Sequence, residues 1–234
     1  MTQRRAVVVT GAAGRIGTAV TERLSDRWDI RGTDLPDLGV EALDVTDLAA
    51  CRHAFQGADA VVHLAADPDP EAGWEELLPA NVVAAWCVAA AAMEVGVRRL
   101  VLASSVQAMS AVADHLQVRA QDAPRPANLY GATKAWAEAV GSWVASSSPV
   151  EVVALRIGYF GDRPAAEGEG SVLQRASWLS PDDCAELVRA AVEGPVDGFV
   201  VVSGVSANRY RRAEHGEAEI RLGYEPRDDA WASG

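Results

Sequence analysis

The sequence predicts an α/β fold built on one doubly wound parallel sheet, with helices on both faces and a small C-terminal substrate-binding part. Three observations carry this reading. Strand-like and helix-like segments alternate from the first residues, several strand-like runs are continuously apolar, and the first strand-to-helix turn is rich in glycine. Strands buried on both faces lose the polar alternation of one-sided sheets. Repeated βα units close with right-handed crossovers and leave ligands to the carboxyl edge of the sheet. A chain of 234 residues suits one such domain.

The elements follow in order. Ala6–Thr10 is a short β-branched run that stops at Gly11. Residues 16–24 carry helical spacing, with Ile16, Val20 and Leu24 on one stripe. A second extended run, 29–33, ends at Asp34, and 40–43 is a short strand candidate before Asp44. Thr46 is expected to cap a helix running to Phe55. Residues 60–64 and 99–103 read as buried strands on either side of a long helix, Trp74–Val95. A helix at 130–144, a strand at 150–155, a helix at 181–192 and a strand at 199–202 complete the alternation. Residues 1–155 are expected to form the dinucleotide-binding core. Residues 156–234 are expected to form a small substrate-covering part of the same domain. Two long irregular stretches, 107–128 with Pro124 and Pro126, and 158–174 with its Gly, Pro and acidic residues, suit ligand loops.

Composition narrows the partners. The formal net charge of −12 repels nucleic acid and anionic membranes, which leaves a small molecule as the expected ligand. Cys51, Cys87 and Cys184 lie far apart and, with His53, His63, His115 and His215, match no metal spacing. They read as reduced, buried thiols in a cytoplasm. The N-terminal residues run directly into a strand, so no leader is expected. The apolar stretch 82–97 is short for a membrane span and is expected to be a buried helix.

Thr10-Gly11-Ala12-Ala13-Gly14-Arg15-Ile16-Gly17 lies between the first strand and the first helix. Glycines there let the backbone approach a pyrophosphate, and the helix N-terminus offers unpaired N–H groups. Asp34, at the end of the next strand, suits ribose hydroxyls and repels a 2′-phosphate, which favours NAD over NADP. Arg15 and Arg31 lie close enough in sequence to soften that preference.

Tyr130 and Lys134 stand four residues apart on a helix and so share a face. A neighbouring ammonium is expected to lower the phenol's pKa and fit it for proton exchange with an alcohol or ketone. Ser104 and Ser105 follow the strand 99–103, where a hydroxyl reaches the same substrate oxygen, and Asn81 is placed to hold a relay water. Trp136, Val140, Trp143 and Val144 form a stripe on the same helix that suits core or dimer contact, and Trp178 suits a pocket wall.

These residues resemble the extended short-chain dehydrogenase/reductases, the NAD-dependent epimerase/dehydratase superfamily with its Rossmann-type core. The matches are the glycine turn 10–17, Asp44-Val45, His63-Leu64-Ala65-Ala66, Asn81-Val82, Leu102-Ala103-Ser104-Ser105, Tyr130 to Lys134, and Leu155-Arg156-Ile157-Gly158. The resemblance implies a catalytic set of Ser105, Tyr130 and Lys134 supported by Asn81. It implies cofactor contacts at Gly11, Ala13, Gly14, Arg15, Ile16, Gly17, Asp34, Asp44 and Val45. Leu64, Ala65, Ala66, Ile157, Tyr130 and Lys134 complete them, with Lys134 on the nicotinamide ribose and Asp44-Val45 at the adenine. Helices such as 130–144 pair between subunits in this superfamily, which implies a homodimer.

Residues 177–183, 204–208 and 222–228 resemble the uronate dehydrogenases in particular. These NAD enzymes oxidise the anomeric hydroxyl of a hexuronic acid. That likeness implies substrate contacts at Ser105, Val106, Gln107, Tyr130, Gly158, Arg175 and Trp178. Two departures stand out. Val106-Gln107 replace the family's Asn-His, and Arg175 is out of register with its carboxylate-binding arginine, whose place falls nearer Leu173. The chain also ends soon after Asp229, short of that family's tail. The reading is hydride transfer between a nicotinamide and a secondary alcohol or ketone of a small cyclic, uronic-acid-like or sugar-like substrate. Val106-Gln107 lack the acids of a dehydratase, and little chain follows Leu155 for an epimerase's nucleotide-binding lobe. A ketoreductase tailoring a specialised metabolite, such as a nucleoside-like antibiotic intermediate, and a dinucleotide-sensing regulatory module remain open.

Overall fold

The computed structural model describes residues 4–166 and 169–232, so part of the expected 158–174 loop lies outside the described residues. The strands are β1 (Ala6–Thr10), β2 (Asp29–Asp34), β3 (Glu41–Ala42), β4 (Ala60–His63), β5 (Arg99–Ser105), β6 (Glu151–Ile157), β7 (Tyr159–Phe160), β8 (Trp178–Leu179) and β9 (Phe199–Gly204). The helices are α1 (Arg15–Leu24), α2 (Leu48–Phe55), α3 (Trp74–Leu77), α4 (Ala84–Val95), α5 (Leu129–Ser147), α6 (Val172–Ala176), α7 (Pro181–Glu193) and α8 (Glu217–Leu222). Seven strands form one sheet in the order β3-β2-β1-β4-β5-β6-β9, and every pairing is parallel. β7 and β8 form a separate parallel pair beside it.

Alternation along each strand splits the core into two layers. Val7, Val9, Val62, Val101, Val153 and Leu155 pack with α1 and α7, whereas Val8, Val61, Leu100, Leu102 and Val152 pack with α2, α4 and α5. Each such side chain removed from water contributes about 1.5–3 kcal/mol, so both faces reward the same register. Strand order reverses between β1 and β4, and the crevice above that point is where doubly wound sheets bind ligands.

Several local details differ from the sequence expectations. The helix over Trp74–Val95 contains a π-helical segment, Leu78–Val83, whose second residue is Pro79. Proline lacks an N–H and crowds the preceding turn, which the wider winding relieves. This run is long and apolar enough to cross a membrane by length and composition, and half of its most apolar window is buried inside the fold. Asp47, not Thr46, caps α2: its carboxylate accepts from Ala49 N and Ala50 N, while Thr46 is drawn to Asp44 by two hydrogen bonds. A charged acceptor satisfies two orphan donors that the hydroxyl would share less well. The three cysteines are free and buried, and burial pushes the Cys51 and Cys184 thiols up to about 12.

One polar group inside this apolar frame governs where α5 sits. The Glu138 carboxylate accepts from Arg156 Nε at 2.8 Å and Nη2 at 2.9 Å, and from Ser104 Oγ at 2.6 Å. Arg156 also donates to the carbonyls of Arg119 and Asp122, so one ion pair joins α5, β5, β6 and the 107–128 loop. Both side chains are about 95% or more buried. Glu138→Ala is therefore expected to cost about 3–5 kcal/mol in chemical denaturation, because it strands a buried guanidinium. Removing both charges with apolar side chains of similar size should cost less than the single change; an additive loss would show that the pair is not coupled.

Candidate active site

A cavity of about 420 Å³ opens at the carboxyl edge of the sheet. Its cofactor end is walled by Gly11, Gly14, Arg15, Ile16 and Gly17, and its other end by Pro68, Pro70, Ser105, Val106, Gln107, Tyr130 and Tyr159. Leu64, Ala66, Ala103, Lys134, Ile157, Gly158 and Phe160 line the space between.

The glycine turn is tight by necessity. Gly11 has φ of 70°, and a Cβ there would lie 2.5 Å from Ala65 N. A Cβ at Gly17 would lie 2.1 Å from Gly11 O. α1 begins after Gly14, which supplies no side-chain cap, so its first N–H groups are offered towards the cavity. The Asp34 carboxylate accepts from Ala13 N at 3.0 Å and Leu35 N at 2.8 Å, which fixes it at the rim of this turn. These features fit a dinucleotide: backbone donors face a pyrophosphate, and an anchored carboxylate awaits the ribose. The two arginines that might have admitted a 2′-phosphate are engaged elsewhere. Arg31 donates to Gln56 O, and Arg15 donates to Phe160 O at 3.0 Å with its guanidinium over the Phe160 ring.

α5 brings the catalytic candidates to the middle of the cavity. Asn128 caps it, accepting from Gly131 N at 2.7 Å, and so sets the first turn that carries Tyr130. Ser105 ends β5 and lines the cavity with Tyr130. Lys134, the chain's sole lysine, is 6% exposed, with Nζ 5.5 Å from the Tyr130 ring centroid and 3.3 Å from Ala103 O.

The electrostatics differ from the sequence expectation. Tyr130 is raised, not lowered: burial disfavours the phenolate, the Ser105 hydroxyl works against that, and the Asp67 carboxylate adds to the rise. Lys134 is itself pushed down to about 8 by burial, against the pull of Asp67. Behind this pair His63 is held near 3 by burial and by the Lys134 cation, so it stays neutral, with Nδ1 2.8 Å from Thr10 Oγ1.

Other expected residues fall outside the cavity walls. Asn81 is 4% exposed, and its amide is occupied by the Asp67 backbone, at 2.8 and 3.1 Å, and by Thr133 Oγ1 at 3.1 Å. Those contacts tie the loop after β4 to α5. Arg175 turns away from the cavity, with Nε and Nη2 3.0 and 2.8 Å from Ala230 O and the guanidinium 4.9 Å from the Trp231 ring centroid. Trp178 is buried and donates to Gly161 O, bracing Tyr159 and Phe160 from behind through the β7–β8 pair. Asp44 and Val45 lie beyond the walls, Asp44 engaged with Thr46 and lowered by those hydrogen bonds. Of the helix stripe, Val140 and Val144 are buried, while Trp136 and Trp143 are exposed, as is Trp86 of α4.

Sequence reading missed Pro68, Pro70 and Tyr159 as walls, and Asp67 as a charge acting on the site. Tyr159 follows directly on the Leu155-Arg156-Ile157-Gly158 motif, and Asp67 to Pro70 on His63-Leu64-Ala65-Ala66, so continuing each motif into its loop would have found them. Gln107 joins them: its Nε2 donates to Tyr159 Oη at 3.1 Å, and its Oε1 accepts from Asn128 at 3.2 Å.

The chain is similar to known proteins along most of its length. Residues 7–175 match the model of the NAD dependent epimerase/dehydratase family. The chain is 37% identical to L-arabinose 1-dehydrogenase (NAD(P)(+)) of Haloferax volcanii, over 96% of this chain and 97% of that protein. It is 34% identical to the NAD-dependent glucose-6-phosphate dehydrogenase of the same organism, over 96% and 94%. Among solved structures, a mutant uronate dehydrogenase from Agrobacterium tumefaciens complexed with NAD superposes with a TM-score of 0.85. That match has 28% identity and covers 97% of this chain and 86% of that one. The matched segment runs from the first strand through the glycine turn and the Tyr130–Lys134 helix to α6, and the chain belongs to the NAD dependent epimerase/dehydratase family.

Proposed function

We propose that this protein is an NAD-dependent dehydrogenase that oxidises a ring hydroxyl of a small, cyclic, sugar-like substrate. The observation that carries this is the convergence of Ser105, Tyr130 and Lys134 on one cavity whose far end is the glycine turn. Relatives named for arabinose, glucose 6-phosphate and uronate oxidation support a sugar or sugar acid as substrate.

When bound, the nicotinamide supplies the hydride acceptor. The substrate hydroxyl sits between Ser105 Oγ and the Tyr130 phenol. The phenol first loses its own proton to solvent; the Tyr130 phenolate then takes the hydroxyl proton as the C–H bond on the same carbon breaks with its electron pair, leaving a carbonyl. Ser105 hydrogen-bonds the oxygen throughout, and the Lys134 ammonium would hold the ribose and favours the phenolate over the phenol. Burial that raises Tyr130 also makes it an effective proton donor in reverse, so the same set serves ketone reduction. The apolar Val106 wall supports that second reading, a reductase acting on a less hydrophilic ring. Asp34, anchored at the turn, and the engaged Arg15 and Arg31 support NAD over NADP.

Tyr130→Phe is expected to lower kcat by on the order of 10²- to 10⁴-fold while NADH binding is nearly unchanged. Retained turnover would remove Tyr130 from the role, and tight NADH binding with no substrate turned over by the wild type would favour a sensor. Asp34→Ala should lower the ratio of kcat/KM for NAD over NADP; a wild type that already prefers NADP contradicts the assignment. Because Lys134 is the only lysine, NMR of its Nζ or ε-methylene reads its titration without overlap from other lysines. The midpoint is expected near 8, and Asp67→Asn should move it lower, because desolvation then acts without the opposing carboxylate. An upward move in Asp67→Asn would contradict this account of the site's charge.

A further inference from the structure

We propose that the substrate is an uncharged ring, an aldose or cyclic polyol, and that the site discriminates against carboxylated and phosphorylated rings, with Asp67 as the specificity-determining side chain. This rests on the dehydrogenase reading of the same site. The argument starts from an inventory of cations. All 21 lysine and arginine residues lie within the described part of the chain, and only Arg15 and Lys134 line the cavity. Arg15 belongs to the glycine turn and is held by Phe160. Lys134 is buried at the proton-transfer centre and donates to Ala103 O.

Most arginines of the neighbouring loops are taken, and Arg125 of the 107–128 loop is exposed and does not line the cavity. Arg175 is held by Ala230 O and Trp231, Arg163 pairs with Glu169 at 2.8 Å, and Arg119 pairs with Glu214 at 3.0 Å. Arg156 is locked to Glu138, and Arg212 donates to Val112 O. The end of the cavity away from the glycine turn is therefore walled by Pro68, Pro70, Val106, Gln107 and Tyr159, which carry no charge. A carboxylate or phosphate enclosed there would lose its water with no cation to replace it, at a cost of several kcal/mol.

Asp67 turns this indifference into discrimination. Its backbone is clamped by both polar atoms of Asn81, and its carboxylate is oriented by Asp69 N at 2.9 Å. From that loop it acts on both Tyr130 and Lys134, so its negative charge reaches the point where the substrate must lie. Asp67 does not itself line the cavity, but a second anion brought there meets its charge across the wall, and the overall charge of −12 adds a weaker, salt-screened repulsion on approach. A neutral ring meets instead the Tyr159 and Ser105 hydroxyls as partners for its own.

The test uses sugars of one ring configuration that differ only at C6: L-arabinose, which lacks it, D-galactose, D-galacturonate and D-galactose 6-phosphate. With NAD and the wild-type protein, kcat/KM for the neutral sugars should exceed that for both anions by at least about tenfold. An anion used as well as, or better than, its neutral counterpart overturns the proposal. Asp67→Asn and raised ionic strength should each narrow the ratio; an unchanged ratio in Asp67→Asn overturns the assignment to that residue. Calorimetric binding of the same sugars to the NADH complex separates the two levels of inference. Neutral rings that bind more tightly yet are not turned over support the charge preference and overturn the dehydrogenase reading. Tighter binding of the anions, or no binding of any neutral ring, overturns the charge preference.

Discussion

The Glu138 carboxylate has almost no water around it, and its position depends on partners drawn from two other strands of the sheet. Arg156 on β6 approaches it side-on with two donors, and Ser104 on β5 supplies a third. Burying two charges is favourable only when the geometry satisfies nearly every donor and acceptor. That condition constrains the register of α5 against the sheet, and Lys134 lies one helical turn before Glu138 on the same helix. The relation between Ser105 and the Tyr130–Lys134 face is thus set by a contact on the far side of the helix turn. Arg156 extends the constraint to the 107–128 loop through two carbonyls, so the wall containing Val106 and Gln107 is tied to the same anchor.

A second constraint works at the opposite end of the cavity. Gly17 permits α1 to pack within a distance that any side chain would block, and Gly11 permits the backbone of Ala65 to lie against the turn. The loop after β4 is thereby pulled towards the first helix. Asn81 then clamps that loop from the π-helical segment, where Pro79 widens the winding. The outcome is that Asp67 is held in electrostatic range of the proton-transfer pair. Its influence on both Tyr130 and Lys134 makes the carboxylate part of the site's chemistry without lining the cavity.

The end of the cavity away from the glycine turn is walled by neutral groups. Gln107 is spent bridging Asn128 and Tyr159, and Arg175 is spent on the backbone near Trp231. Each of these side chains has a polar group that might serve a ligand, and each finds an intramolecular partner first. The selectivity that results comes as much from what is withheld as from what is presented, since an unpaired buried anion costs far more than a missing hydroxyl contact.

What the sequence by itself determined is what local rules control. The alternation of apolar runs with helical stripes specifies strands and helices, and a strand followed by glycines and a helix specifies the cofactor turn, because backbone clearance depends on adjacent residues. Tyr130 and Lys134 were legible together because helical spacing alone puts them on one face. Asp34 was legible because its place follows from the strand it ends. What only the tertiary structure decided is how distant side chains are spent. Glu138 meeting Arg156, Asn81 bracing Asp67, and Arg175 turned to Ala230 each join residues far apart in the chain, with no spacing rule to relate them. The direction of the Tyr130 shift was likewise decided by burial, which depends on what the whole fold packs around the phenol.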